Sequence, residues 1–141
     1  MTARLVSVGL AIFFLAVTAN AACLQYEPAI VTVTGVLVVK QAYGPPNYGE
    51  NPATDSTERY VVLVLDESTC VDANPSNELD DVEERDVRAI QLVTSDGVDG
   101  FLLNKRVAVS GTLFHAHTGH HRTPVLIRVK TIALSRQPGR A

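Results

Sequence analysis

Short segments of alternating apolar and polar residues run along most of the chain, and a period of two is typical of β-strands. In the clearest segment Val31, Val33, Leu37 and Val39 share one face. The segments predicted as strands are 30–40, 60–66, 89–94, 106–114 and 123–132. The pattern therefore predicts an all-β protein.

Segment 60–66 is continuously apolar, and we expect it to be the best-buried strand, covered on both faces. Gly35 and Gly111 stand in the middle of the first and fourth segments, where glycine favours a bulge or a sharp coil. A short helix or turn within 95–104 is expected to pack apolar side chains, including Phe101, against the sheet. Together these features predict a five-stranded OB-like Greek-key barrel, with a small β-sandwich as the alternative.

The N-terminal residues have the pattern of an export signal. One positive charge is followed by an apolar run over 5–17 and an A-x-A end at Ala21, the three parts of a secretory signal peptide. We expect a periplasmic or secreted monomer with no membrane span after processing. The predicted divisions are a signal peptide at 1–21, a single domain at 22–135 and a flexible tail at 136–141.

The two cysteines, Cys23 and Cys70, both lie in the predicted mature domain. Two cysteines in a small exported protein most often pair, because the compartment is oxidising. The sequence therefore predicts a structural disulfide between them.

Charge is divided unevenly along the chain. Acidic residues are concentrated over 66–86, and every charged residue from 101 onward is basic. The net charge of the whole chain is nevertheless −3. A dedicated nucleic-acid binder usually carries a basic excess, so the composition argues against a nucleic-acid partner.

One predicted hairpin loop, 114–123, holds all four histidines of the chain, namely His115, His117, His120 and His121. Imidazole is the commonest metal ligand, and a short His-rich tract is a known metal-binding composition. If the hairpin returns His120 or His121 across from the other two, two or three ring nitrogens could reach one Zn²⁺ or Cu²⁺ ion. The alternatives are a polar tip that bonds to backbone and solvent, and an anion or partner contact that uses protonated histidine and Arg122.

A second candidate is the long predicted loop 41–58, which contains Gly-Pro-Pro-Asn-Tyr-Gly. In an OB barrel the loops after the first and fourth strands lie beside the same face, so the tyrosines and histidines could share one surface. Tyrosines beside cationic groups hold oligonucleotides or sugars in such folds. The alternative is a rigid turn whose tyrosines pack on the barrel. The predicted ligand residues are Tyr43, Asn47, Tyr48 and Arg122.

No complete catalytic constellation is visible. Ser95 and Ser110 have no positioned base, and a hydroxyl without one is not activated. Asp66 and Glu67 are adjacent, so on a strand they point to opposite faces. The sequence therefore predicts a non-enzymatic binding or accessory module for an unknown ligand or protein partner, with a metal-binding protein and an unrecognised hydrolase as alternatives.

Several short motifs together resemble a family of small secreted bacterial proteins that is classed as a domain of unknown function. They are Cys23-Leu-x-Tyr-Glu-Pro, the Gly-Pro-Pro-Asn-Tyr loop, Glu58-Arg-Tyr-x-x-Leu, Cys70-Val, Ile90-Gln-Leu-Val and His117-Thr-Gly-His-His-x-Thr123. The resemblance implies an exported protein of Gram-negative type without an established activity. It supplies no catalytic residue.

Overall fold

The computed structural model describes residues 21–136 of the chain. The strands are β1 (Leu24–Gln25), β2 (Ile30–Tyr43), β3 (Thr57–Asp72), β4 (Glu84–Val93), β5 (Arg106–His115) and β6 (Val125–Leu134). Two 3₁₀ helices, Glu78–Asp80 and Gly100–Leu102, are the only helices among the described residues, so the all-β prediction is confirmed. Between residues 21 and 136 no helix is long and apolar enough to cross a membrane.

The strands form one six-stranded mixed sheet in the order β1-β3-β2-β5-β6-β4, and β3 also pairs with β4. The five long strands therefore make a closed ring of pairings, in a single sheet rather than the two stacked sheets of a sandwich. All pairings are antiparallel except β1 with β3 and β4 with β6. The predicted signal peptide, apart from Ala21, and the tail beyond Arg136 lie outside the described residues.

Four of the five long strands are longer than predicted, and the two candidate loops are shorter. β6 has the predicted ten residues but begins at Val125 rather than at 123. β2 and β3 pair as a hairpin out to Tyr43 and Thr57, so the first loop spans 44–56 instead of 41–58. β5 and β6 pair out to His115 and Val125, so the second spans 116–124 instead of 114–123. The extra strand residues include many polar ones, which a sheet tolerates because one of its faces meets solvent.

Gly35 and Gly111 both lie where two strands approach closely. A Cβ atom at Gly35 would overlap the carbonyl oxygen of Val64, and one at Gly111 would overlap that of Arg128. The pairing of β2 with β3 ends at Gly35, while its pairing with β5 continues toward Ile30. The register of β5 against β6 shifts between Ser110 and Gly111, which is the bulge that the fourth segment predicted.

The core fills the inside of the ring with the inward-facing side chains of all five long strands, led by the fully buried Leu37, Leu63, Ile90, Leu113 and Ile127. The expectation that β3 is the best-buried strand is wrong. Its Val64 is 39% exposed on the outer face, whereas Val125, Leu126 and Ile127 at the start of β6 are completely buried.

Segment 95–104 contains the expected short helical turn, but only part of it packs on the sheet. Leu102 and Leu103 pack against the core, whereas Phe101 is 63% exposed with the ammonium of Lys105 3.1 Å from its ring centroid. The prediction that Phe101 packs against the sheet is therefore wrong. Asn104, just before β5, adopts a left-handed conformation with φ of 60°, which asparagine tolerates better than most residues.

The predicted disulfide between Cys23 and Cys70 is present. It links the segment before β1 to β3, and β1 pairs with β3 through Leu24 opposite Val71 and Gln25 opposite Asp72.

Candidate functional site

Loop 44–56 is organised around the carboxylate of Asp55. Its two oxygens accept hydrogen bonds from the backbone N–H groups of Asn47 (2.8 Å), Gly49 (2.7 Å) and Asn51 (3.2 Å). Burial alone would raise the pKa of Asp55, but these donors outweigh it and leave the pKa below its usual value. The loop is therefore internally braced, and Tyr48 at its tip has a defined position with φ of 52°.

Loop 116–124 is held to β4 by the side chain of Gln91, a buried amide. Its Nε2 donates to the carbonyl of His120 (3.1 Å), and its Oε1 accepts from the backbone N–H of Arg122 (2.6 Å). The backbone N–H of Gln91 also donates to Oγ1 of Thr123 (3.0 Å). Because every polar group of this amide has a partner in the loop, Gln91 fixes the loop against the sheet.

The same loop covers part of the outer face of the sheet. Cross-strand pairing places Val62, Gln91, Leu126 and Phe114 in one row across β3, β4, β6 and β5. All four are buried although none belongs to the main core cluster. The loop lies over this row, since Gln91 bonds to its backbone and the rings of two of its histidines contact Phe114.

Arg122 connects the two loops. Its Nη2 donates to the carbonyl of Tyr43 (2.7 Å) at the end of β2 and to Oε2 of Glu58 (2.8 Å) on β3. Nδ1 of His120 lies 2.9 Å from the other oxygen of Glu58. The guanidinium of Arg122, followed by the His120 ring, holds the pKa of Glu58 below its usual value.

Above this ion pair the aromatic rings of the two loops meet. The Tyr48 ring contacts the His120 ring edge-on, with centroids 5.8 Å apart, and the Arg122 guanidinium carbon lies 5.6 Å from the Tyr48 centroid. We call Tyr48, Glu58, His120 and Arg122 the loop junction. Tyr48 is 41% exposed and the neighbouring Tyr43 is 45% exposed, so the junction presents aromatic surface to solvent.

Three of the four predicted ligand residues therefore come together. Tyr43, Tyr48 and Arg122 lie beside one another, as the expectation of a shared surface requires. Asn47 does not join them, because its side-chain amide bonds to Asp55 (3.2 Å) and helps to brace its own loop.

The histidines do not converge on one point. Nε2 of His115 at the end of β5 lies 3.0 Å from Oε1 of Glu84, whereas Nδ1 of His120 lies 2.9 Å from Oε1 of Glu58. His117 and His121 contact each other edge-on, with centroids 4.7 Å apart. The four imidazoles thus form three groups: His115 beside Glu84, His120 beside Glu58, and the contacting pair His117 and His121. Across residues 21–136 no set of three or more His, Cys, Asp or Glu side chains is arranged to hold a metal ion.

His121 also has a structural task within the loop. Its Nδ1 accepts hydrogen bonds from the backbone N–H groups of His117 (2.9 Å) and Thr118 (3.3 Å), which requires the ring to be unprotonated at that atom. Burial lowers the pKa of His121 below its usual value, and the nearby His117, Arg128 and His120 lower it further. This imidazole is therefore neutral at pH 7 and serves as a backbone acceptor.

Ser110 and Asp66, which the sequence analysis considered as catalytic candidates, are hydrogen-bonded to residues other than histidine. The Ser110 hydroxyl lies 2.6 Å from that of Thr32, and Asp66 accepts from Arg106 at 2.6 Å. Neither pair includes a histidine.

Sequence reasoning missed Glu58 and Gln91, the two residues that assemble the loop junction. Both occur in motifs quoted for the family resemblance, but nothing distinguishes Glu58 from an ordinary solvent-facing charge on a strand. Gln91 carried a usable signal, because a lone amide between Ile90 and Leu92 in an apolar strand is expected to have a specific partner.

Comparison with known protein families gives a match to part of the chain. Residues 89–133 match a family described as "Domain of unknown function (DUF4431)". The matched segment runs from within β4 to near the end of β6, so it contains Gln91 and the whole of loop 116–124 with Arg122. This match supports a relation to a family of unknown function. Neither the curated proteins nor the solved structures include a match to the chain.

Proposed function

We propose that the protein is an exported, monomeric binding module whose ligand site is the surface formed by loops 44–56 and 116–124. The single observation that carries this proposal is the loop junction, where Tyr48 contacts His120 above the Glu58–Arg122 ion pair. Asp55 braces loop 44–56 and Gln91 braces loop 116–124, and the two braced loops meet at the junction. Such preorganised surfaces lower the entropic cost of binding.

An OB-like barrel is the fold that we propose for the closed ring of pairings. Support comes from the order β3-β2-β5-β6-β4 with β3 paired to β4, and from the parallel pair of β4 and β6. In OB folds the connections after the first and fourth long strands flank the binding face, and these are the two loops at the junction. Export is supported by the Cys23–Cys70 disulfide together with the signal-like pattern of residues 1–21.

A neutral saccharide is the ligand class that the chemistry of the surface favours. The exposed rings of Tyr43 and Tyr48 offer flat apolar faces, and Glu58 and His120 offer polar atoms at their edge. A shallow groove of about 330 Å³ adjoins them, lined by Gln41, Ala42, Tyr43 and Thr57. The Arg122 charge is already balanced by Glu58, which disfavours a polyanion such as a nucleic acid.

The test is a titration of the purified protein with neutral oligosaccharides, followed by amide chemical shifts or calorimetry, with short single-stranded oligonucleotides as a comparison. We expect saturable saccharide binding that Tyr48→Ala weakens by about 10- to 100-fold, the value of one buried aromatic contact. Phe101→Ala is the matched control, since Phe101 is an exposed aromatic residue in a different loop. Saccharide binding that survives Tyr48→Ala unchanged, or binding of oligonucleotides alone, would refute the proposal.

A further inference from the structure

Residues 23–29 form a short N-terminal strap that closes one side of the ring. Cys23 at its start is bonded to Cys70, and β1 adds two residues of parallel pairing to β3. Tyr26 then inserts into the core and makes an isolated bridge to Leu113 of β5. The strap is the only described part of the fold held by a covalent cross-link.

Tyr26 is a core residue that carries a buried polar hydroxyl group. Only 3% of its surface is exposed, and within residues 21–136 its hydroxyl has no hydrogen-bond partner. Buried hydroxyl groups normally find partners, because leaving one unpaired is unfavourable. Burial raises the pKa of Tyr26 to about 12, and the carboxylates of Glu84 and Asp80 contribute to the same direction.

The remaining polar contacts of the strap lie mostly at the surface, and one of them is an ion pair between Glu27 and Arg128 (3.4 Å). Nε2 of Gln25 donates to Asp72 (2.8 Å), the backbone N–H of Glu27 donates to the Leu113 carbonyl (2.8 Å), and Asn74 donates to the carbonyl of Glu27 (3.0 Å). Between the strap and residues 73–75 there is an open groove of about 490 Å³. Besides the packing of Tyr26 and Leu24 against the core, the disulfide is therefore the main restraint on the strap.

A cation lies beside one sulfur of this disulfide. Nη1 of Arg85 is 3.5 Å from Sγ of Cys23, and the same guanidinium pairs with Glu83. A guanidinium next to a sulfur stabilises the thiolate, and the sulfur with the more stable thiolate leaves faster in thiol–disulfide exchange. Cys23 is thus the favoured leaving group, and Cys70 the favoured point of attack.

We propose that the Cys23–Cys70 disulfide is a redox latch, and that its reduction by a dithiol frees the strap and withdraws Tyr26 from the ring. A thiolate of the dithiol attacks Sγ of Cys70, the S–S bond breaks, and its electron pair leaves on Cys23 beside Arg85. The second thiolate of the reductant then displaces Cys70 from the mixed disulfide. Two electrons and two protons pass to the cysteines, and the dithiol becomes a disulfide.

Withdrawal of Tyr26 changes what the ring exposes. The Tyr26 ring lies edge-on to His115, with centroids 6.4 Å apart, and His115 bonds to Glu84. In the oxidised protein this pair is only partly exposed, and withdrawal of Tyr26 would expose it further together with the adjoining core. The latch is independent of the proposed ligand site, because none of its residues belongs to the loop junction.

Hydrogen exchange and tyrosine titration of the oxidised and dithiol-reduced protein test the latch. We expect reduction to speed exchange of the strap amides by about tenfold or more, while β5 and β6 keep their protection. The ultraviolet titration of Tyr26, isolated by difference against Tyr26→Phe, is expected to fall from a pKa of about 12 toward the ordinary value for tyrosine. Unchanged strap exchange, or loss of protection throughout the sheet, would overturn the proposal.

A kinetic comparison tests the role of Arg85 without requiring the reduced protein to stay folded. We expect Arg85→Gln to slow reduction by a dithiol several-fold. Arg88→Gln is the matched control, because Arg88 is also exposed on β4 and paired with an acid, Asp86, but does not contact Cys23. Equal reduction rates for the two variants would show that the disulfide is not tuned and would contradict the latch.

Discussion

The side-chain oxygen of Gln91 accepts a hydrogen bond from the backbone N–H of Arg122 at 2.6 Å, and this contact fixes the loop that carries the junction. Gln91 lies on β4 and is buried on the outer face of the sheet. The arginine it positions then reaches across β3 to the end of β2. A buried amide thus determines where an exposed surface forms.

Replacing this amide tests how much the loop depends on it. Gln91→Leu keeps the side-chain volume but leaves the His120 carbonyl and the Arg122 N–H without partners. We expect a loss of about 1–3 kcal/mol in the free energy of unfolding, measured by urea denaturation. Gln41→Leu, at an exposed position on β2, should change it by less than about 0.5 kcal/mol. Equal effects of the two substitutions would mean that Gln91 does not hold the loop.

The Glu58–Arg122 pair predicts a stability loss in acid. The pKa of Glu58 is lower in the folded protein than in the unfolded chain, because Arg122 and His120 stabilise its ionised form. The stabilisation of the folded state by ionised Glu58 is therefore fully present above the unfolded pKa, near 4.5. It is lost as the pH falls through the lower pKa of the folded state. Thermal unfolding midpoints recorded across this range should decline more steeply for the native chain than for Glu58→Gln. If the midpoints of Glu58→Gln declined as steeply as those of the native chain, the ion pair would not contribute to stability in this range.

The sequence predicted the parts of this protein that local pattern determines. Alternation, together with one continuously apolar run, located the five long strands, and the central glycine of the fourth strand marked its bulge. Strand ends were missed because residues such as Glu67 and Ser68 are polar and read as loop, although they continue β3 at an edge that faces solvent. The junction was missed in part because Glu58 meets His120 from more than sixty positions away, and such contacts depend on the register of the whole ring.

The close approach at Gly35 gives a direct prediction about side-chain size. A methyl group there would overlap the Val64 carbonyl, so the strands must separate to admit it. We expect Gly35→Ala to cost about 1–3 kcal/mol in the free energy of unfolding. Gly100→Ala is the control, because a Cβ at Gly100 would meet nothing within 4 Å. Denaturation curves that coincide for the two variants would exclude a tight crossing of β2 and β3 at this point.

The separation of the histidines predicts how the protein responds to metal ions. Only His117 and His121 lie against each other, and Nδ1 of His121 is already used by two backbone N–H groups. A pair of imidazoles supplies fewer ligands than a closed zinc site needs. We therefore expect Zn²⁺ and Cu²⁺ at low micromolar concentration to leave the thermal midpoint of the native chain unchanged, as they should for His117→Ala. A rise in the midpoint for the native chain that His117→Ala abolishes would instead establish a metal site, because an ion that binds only the folded state must stabilise it. Such a result would also require loop 116–124 to rearrange, since His115 and His120 would have to leave their carboxylate partners to complete the coordination.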